Sequence, residues 1–202
     1  CNICPRNCNV DRSEKIGYCA MTDTVKISRA ALHMWEEPCI SGEKGSGTVF
    51  FSGCNMKCVF CQNKDISTDG FGKEITIGRL AEIFLELQDK GALNINLVTP
   101  THYTLQIIDA VKIARAKGLK LPIVYNTSSY EKVETIKLLE GIVDIWLPDF
   151  KYMDNTAAQR YSKAPDYVEN AKAAIAEMVR QQPECAFNED GIIQKGVIVR
   201  HL

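Results

Sequence analysis

The 202-residue sequence lacks several features that would assign it to particular classes of protein. It has no run of about 18 apolar residues, the length that a membrane-spanning helix needs, and no basic-then-apolar leader precedes Cys1. It has no excess of either charge, because 24 Lys and Arg residues stand against 25 Asp and Glu residues. No overall field therefore attracts nucleic acid or an acidic membrane. We expect a soluble, cytoplasmic protein with neither a nucleic-acid nor a membrane partner.

Cysteine is the residue whose placement is informative. Nine cysteines are too few for a disulfide scaffold, yet eight of the nine lie in the first 61 positions. They form a Cys-x2-Cys-x3-Cys-x10-Cys set and a Cys-x3-Cys-x2-Cys set, at Cys1, Cys4, Cys8 and Cys19 and at Cys54, Cys58 and Cys61. Since 46% of the residues are apolar, the chain can build a core without disulfides. The clustering therefore indicates metal or cluster ligation.

Short β-branched and aromatic runs alternate with amphipathic helical patterns after residue 47. The clearest helix has Thr76 as its N-cap, a stop at Gly91, and apolar residues at i, i+3, i+4 and i+7, namely Leu80, Ile83, Phe84 and Leu87. Predicted strands cover residues 48–51, 95–98, 123–125 and 143–147, and a fifth begins at 197. This alternation predicts an α/β fold with a parallel sheet, closed into a full or partial (β/α) barrel.

Polar residues follow four of the predicted strands. The second cysteine set follows the first strand, and residues 99–102, 126–128 and 149–151 follow the next three. Because the loops at the carboxyl ends of parallel strands converge on one rim, we expect these side chains to share a site.

A loop with three cysteines leaves one iron of a 4Fe-4S cluster without a protein ligand. That iron can bind a small molecule and pass an electron into it, which a fully ligated cluster cannot do. Two alternatives stay open for this loop. One is a zinc site that takes a fourth ligand from Cys39 or a histidine, and the other is cysteines that pack as small apolar residues.

The stretch from Phe50 to Asn63 resembles the cluster loop of radical S-adenosylmethionine (SAM) enzymes, including the aromatic residue before the last cysteine. The chain is also similar to relatives of pyruvate formate-lyase activating enzyme, through residues 1–8, 35–38, 149–152 and 197–202. This resemblance implies a partial (β/α) barrel in which Cys54, Cys58 and Cys61 hold a 4Fe-4S cluster whose fourth iron binds SAM. Reductive cleavage of SAM then yields methionine and a 5′-deoxyadenosyl radical, which abstracts hydrogen from a substrate.

The resemblance also implies contacts to SAM at the strand ends. Thr99 and Thr101 stand where the relatives carry a Gly-Gly-Glu stretch that holds the SAM amino group. Their alternative role is a structural helix start. Arg200 matches an arginine on the fifth strand that pairs with the SAM carboxylate.

Two further pairs match a small cation site beside SAM in these relatives. Asp149 and Lys151 match an Asp-x-Lys pair, and Asn126 and Thr127 match an Asp-Thr pair. The change from Asp to Asn removes one carboxylate, which argues against a bound cation here. A cap for the short helix after Tyr152 is the alternative role of Asp149.

Other residues have structural interpretations. Ser128 and Glu131 form a capping-box pattern ahead of the next helix. The Glu36-Glu37 pair is typical of a solvated face, and we expect His33 and Trp35 to pack the N-terminal part onto the barrel.

The first cysteine set, Cys1, Cys4, Cys8 and Cys19, can saturate a zinc ion or hold a second iron–sulfur cluster, and its spacing does not choose between them. We divide the chain into a Cys-rich N-terminal extension, residues 1–45, and a radical SAM partial barrel, residues 46–202. The strand-like run at the end predicts that the barrel continues beyond Leu202.

The predicted activity is hydrogen abstraction by a radical SAM enzyme, and the resemblance extends to activation of a glycyl-radical protein. Such an enzyme needs a low-potential electron donor such as flavodoxin or ferredoxin. Two alternatives stay open: a radical SAM modifier of a small molecule or RNA, and a non-catalytic iron–sulfur or zinc protein.

Overall fold

A single mixed sheet forms the core of the protein, for which a computed structural model describes residues 1–201. Its main path has the strand order β3-β1-β2-β4-β5-β6-β8-β7, and β9 pairs with β6. The strands are β1 (Lys26–His33), β2 (Ser46–Phe51), β3 (Lys73–Glu74), β4 (Ile95–Val98), β5 (Ile123–Thr127), β6 (Ile145–Phe150), β7 (Ala186–Phe187), β8 (Ile193–Val197) and β9 (Arg200–His201). The run from β2 to β8 is parallel, which confirms the predicted α/β fold.

The helices connect the strands and pack on the sheet. They are α1 (Pro38–Ser41), α2 (Lys64–Ser67), α3 (Ile77–Asp89), α4 (Thr104–Ala116), α5 (Val133–Lys137), α6 (Asn155–Ser162) and α7 (Tyr167–Gln181). A 3₁₀ turn at Thr101–Tyr103 precedes α4. Within the described residues, no helix combines the length and the apolar character needed to cross a bilayer.

One row of side chains across the parallel strands shows why the sheet forms. Val49 on β2 lies beside Leu97 on β4, which lies beside Tyr125 on β5 and then Trp146 on β6. All four side chains are buried. Strands covered on both faces need such apolar runs, and the helices provide the cover.

Helix α3 confirms the clearest prediction from the sequence. The Thr76 hydroxyl accepts a hydrogen bond from the backbone N–H of Arg79 at 3.1 Å, as an N-cap does. The predicted apolar stripe, Leu80, Ile83, Phe84 and Leu87, is buried.

Two predictions about helix caps are wrong. Helix α5 begins after Lys132 without a side-chain cap, and Glu131 is buried instead of forming a capping box with Ser128. Asp154, rather than Asp149, caps α6, because its carboxylate accepts from the backbone N–H groups of the first turn.

The N-terminal part differs from expectation in two respects. Strand β1 is antiparallel to β2 and extends the sheet, which the sequence pattern did not predict. Trp35 is 88% exposed, so it does not pack onto the barrel, whereas the His33 ring lies edge-on to Phe50. At the other end, the predicted fifth strand is split into β8 and β9, and its last residue, Leu202, lies outside the described residues.

Candidate active site

A cavity of about 850 Å³ opens where the parallel strands end. All three cysteines of the second set line it, as do His33 at the end of β1 and residues 35–37 after it. Six of the seven residues predicted to contact a cofactor also line it, namely Thr99, Asn126, Thr127, Asp149, Lys151 and Arg200. The structure thus brings these six residues and the three cysteines to one cavity. Thr101 is not among the lining residues, because its buried hydroxyl points to Glu131.

Each sulfur of the second cysteine set has a polar neighbour. The backbone N–H of Met56 donates to Cys54 Sγ at 3.3 Å. The Ser162 hydroxyl donates to Cys58 Sγ at 2.9 Å, and Cys61 Sγ lies 3.2 Å from the Ser67 hydroxyl. Hydrogen bonds to sulfur stabilise thiolates and tune the potential of iron–sulfur clusters.

Burial favours the protonated form of two thiols of this loop, those of Cys54 and Cys58. Desolvation raises the pKa of Cys54 to about 12 and raises that of Cys58 above its usual value, although the Ser162 hydroxyl opposes the shift at Cys58. A metal displaces such protons when it binds. Within residues 1–201, no group of three or more Cys, His, Asp or Glu side chains is arranged as the ligands of one metal ion. In a cubane cluster each thiolate binds a different iron.

Arg200 is the centre of a charged network that lines the same cavity as the cysteines. Its Nε donates to Asp149 Oδ1 at 2.6 Å, and its Nη2 donates to Asn126 Oδ1 at 2.9 Å. Lys151 Nζ lies 2.7 Å from the other oxygen of Asp149. The network thus joins four of the residues that the sequence placed at this rim.

Glu36 completes this network, and the expectation that it lies on a solvated face is wrong. Its side chain is only 10% exposed. Its Oε1 accepts from Arg200 Nη1 at 2.8 Å, and its Oε2 accepts from Asn96 and Asn126 at 2.9 and 3.0 Å. Glu37 extends outward, is 37% exposed and lies 3.8 Å from Arg200. The neighbouring residues, Glu37 and Pro38 among them, gave no signal of this, since the partners of Glu36 lie 60 to 164 residues away.

Glu131 lies behind the cavity wall and is fully buried. Its Oε1 accepts from the hydroxyls of Thr101 and Thr127, each at 2.6 Å, whereas Oε2 has no partner among the described residues. Burial raises its pKa to about 7, and the hydrogen bonds from the two threonines oppose the shift. Thr127 therefore couples this buried acid to the cavity that it lines.

The first cysteine set lies outside this cavity. Cys4 and Cys19 are buried, Cys1 and Cys8 are partly buried, and all nine cysteines of the chain are free thiols. Burial raises the pKa of Cys4 to about 11, and the charges of Glu131, Cys8 and Cys19 add to the shift.

Comparison with known proteins assigns a family to the region that carries this geometry. The model of the Radical SAM superfamily matches residues 48–192. The uncharacterized protein MJ0674 of Methanocaldococcus jannaschii is 32% identical over 211 residues, which cover 100% of this chain and 58% of that protein. The chain thus spans little more than half the length of this relative.

We predict that Glu131→Gln removes a pH dependence of stability. Between about pH 4.5 and pH 7 the native protein keeps the Glu131 proton that the unfolded chain has lost. The free energy of unfolding is therefore highest below about pH 4.5. It falls by about 3 kcal/mol as the pH rises to about 7. Denaturant unfolding across this range should show the wild type losing stability relative to the variant.

The matched control for this prediction is Glu134→Gln, at an exposed position of α5. Its stability should run parallel to that of the wild type across the same range. Parallel curves for Glu131→Gln as well would contradict the assignment of a proton to buried Glu131.

We also predict that Glu36→Gln lowers the free energy of unfolding by about 2 kcal/mol. The partly buried Arg200 then lacks the opposite charge that Glu36 supplies. The control is Glu37→Gln, which makes the same change of charge one residue away. That pair is longer and more exposed, so we expect a loss below about 0.5 kcal/mol. Equal losses in urea unfolding would show that Glu36 has no special role.

Proposed function

The chain belongs to the radical SAM superfamily, and we propose that Cys54, Cys58 and Cys61 hold the 4Fe-4S cluster that this superfamily uses. One observation carries the proposal: the three thiols line the same cavity as the charged strand ends. The residues fit such a cluster, because the ligands are all sulfur, each sulfur has a polar neighbour, and open volume lies beside them.

When bound, the cluster and SAM supply a one-electron cleavage that gives methionine and a 5′-deoxyadenosyl radical, which abstracts hydrogen from a substrate. The side chains of the cavity recognise the amino-acid end of SAM. Arg200 and Lys151 match its carboxylate, and Glu36 and Asp149 match its ammonium group. These four groups neutralise one another in the structure, so binding exchanges internal ion pairs for ion pairs with the ligand.

The cavity also supplies the apolar surroundings that radical chemistry needs. Phe50, Phe51, Met56 and Tyr152 line it beside the cysteines. Phe51 and Met56 are fully buried, so packing holds their side chains in place. Such a surface excludes water and other hydrogen donors from a reactive intermediate.

We further propose that the substrate is a macromolecule, with a glycyl-radical protein as the specific candidate. Trp35 and Phe60 line the cavity and are exposed, and Val59 beside them is exposed as well. Exposed apolar groups around a cavity are typical of a surface that binds another protein. The similarity to relatives of pyruvate formate-lyase activating enzyme supports the glycyl-radical candidate, with a low-potential carrier such as flavodoxin or ferredoxin as donor in a reducing, cytoplasmic setting.

We predict that protein reconstituted without oxygen and given dithionite and SAM forms 5′-deoxyadenosine, and that Cys58→Ala abolishes this product. Loss of one thiolate leaves the cluster short of a ligand, so its iron content should fall as well. The assay is chromatographic detection of 5′-deoxyadenosine.

Cys185→Ala provides the control, because Cys185 is an exposed thiol outside both sets. It should keep the wild-type yield. If the iron-loaded wild type gives no product with any low-potential reductant, the non-catalytic alternative replaces the proposal.

A further inference from the structure

The N-terminal segment, residues 1–21, places the members of the first cysteine set near one another. A methyl group built on Gly17 would lie 3.5 Å from Cys19 Sγ and 3.7 Å from Cys8 Sγ, so both sulfurs flank one point. The Cys4 carbonyl accepts from the backbone N–H of Asn7, which precedes Cys8, at 3.2 Å. The Cys1 carbonyl accepts from the backbone N–H of Asn9, which follows Cys8. Two sulfurs thus flank one point, and backbone contacts hold Cys1 and Cys4 next to Cys8.

One backbone contact to a sulfur of this set repeats a contact of the second set. The N–H of Tyr18 donates to Cys8 Sγ at 3.3 Å, the same distance as the bond from Met56 to Cys54 Sγ. Asn7, Asn9 and Ala20 have left-handed backbone conformations directly beside Cys8 and Cys19.

Two arginines beside this set have no carboxylate partner. Arg12 is buried, and its guanidinium donates to the carbonyls of Met21, Thr22 and His102. Arg6 donates to carbonyls of the cluster loop and of the segment after α6. The ion pairs formed within residues 1–201 include neither arginine.

A buried cation such as Arg12 is ordinarily neutralised by an anion. Four thiolates around a metal centre carry a net negative charge and supply that anion here. The charge balance therefore favours four metal-bound thiolates over four neutral thiols.

The segment also touches the cluster loop directly. A methyl group built on Gly53, the residue before Cys54, would lie 2.6 Å from the Cys19 carbonyl oxygen and would overlap Met21. Arg6 Nε donates to the carbonyl of Asn55 at 2.7 Å, and the Arg6 guanidinium lies 3.9 Å from the centre of the Tyr18 ring. Tyr18 itself donates its backbone N–H to Cys8 Sγ, and Lys57 Nζ of the cluster loop lies 5.7 Å from the centre of the Tyr18 ring. The two cysteine sets are therefore adjacent.

We propose that Cys1, Cys4, Cys8 and Cys19 bind a second iron–sulfur cluster that passes electrons to the cluster at Cys54, Cys58 and Cys61. A low-potential one-electron carrier protein is oxidised by one electron as it reduces the N-terminal cluster. That cluster returns to its oxidised form when the same electron moves to its neighbour. Only this transfer rests on the proposed function, whereas binding of the N-terminal cluster does not.

The first experiment measures iron, acid-labile sulfide and zinc per chain in protein purified and reconstituted without oxygen. The wild type should hold two clusters' worth of iron and sulfide, and the triple variant C54A/C58A/C61A should hold half of that. Cys8→Ser, made in the wild type, should lose the other half. The proposal is overturned if the wild type holds zinc in place of the second cluster's iron, or if it holds iron and sulfide for one cluster only. Both results can be read from the wild type even when no variant folds.

The second experiment separates electron delivery from SAM cleavage. In Cys8→Ser, reduction of the remaining cluster by flavodoxin, followed by its electron paramagnetic resonance signal, should slow at least tenfold. Cys185→Ala should match the wild type. A single turnover from chemically pre-reduced Cys8→Ser should be unchanged.

Unchanged reduction by flavodoxin overturns the relay. Two clusters without any SAM cleavage in the wild type would instead contradict the proposed function and leave the second cluster standing.

Discussion

The turn at Gly53 is the constraint on which the site depends. Its backbone has φ of 83°, a conformation that side chains other than glycine rarely adopt. Its N–H donates to the Ile66 carbonyl at 2.9 Å, which closes the loop that carries Cys54, Cys58 and Cys61. Strand β2 ends immediately before this turn, so the sheet fixes where the loop begins, and the turn directs its thiols over the cavity. The same glycine leaves room for the N-terminal segment, which packs where a side chain would lie.

The charged network then connects parts of the chain that are far apart in sequence. Arg200 holds Asp149, Asn126 and Glu36 at once, so the ends of β5, β6 and β9 and the segment before β2 share one set of contacts. A guanidinium suits this role, because it donates in several fixed directions within one plane. These cavity side chains are thereby held in place with their charges balanced.

The local sequence pattern predicts where the cysteines and the strand-end residues lie, but it does not predict where Glu36 lies. The spacing of Cys54, Cys58 and Cys61 and the position of Asp149 and Lys151 after a strand were enough to place them at one rim, because parallel strands end on the same side of a sheet. Glu36 could not be placed this way. It precedes a short helix and reaches the rim only because β1 returns antiparallel to β2, a long-range pairing without a local signal.

For Glu131, the local pattern predicts a role that the residue does not have. Its position three residues after Ser128 fits a capping box, but two threonine hydroxyls from other elements bind its carboxylate in the core. Tertiary contacts decided between two locally reasonable structures, as they commonly do for residues next to a short helix.

The account rests on a cluster that leaves one iron for SAM to occupy. The most direct measurement is electron–nuclear double resonance on the reduced protein mixed with SAM labelled with ¹⁵N at its amino group. The account predicts a hyperfine coupling between the cluster and that nitrogen, and its loss in Cys58→Ala. A reduced cluster with no coupling to the label, or zinc bound by Cys54, Cys58 and Cys61, would contradict it.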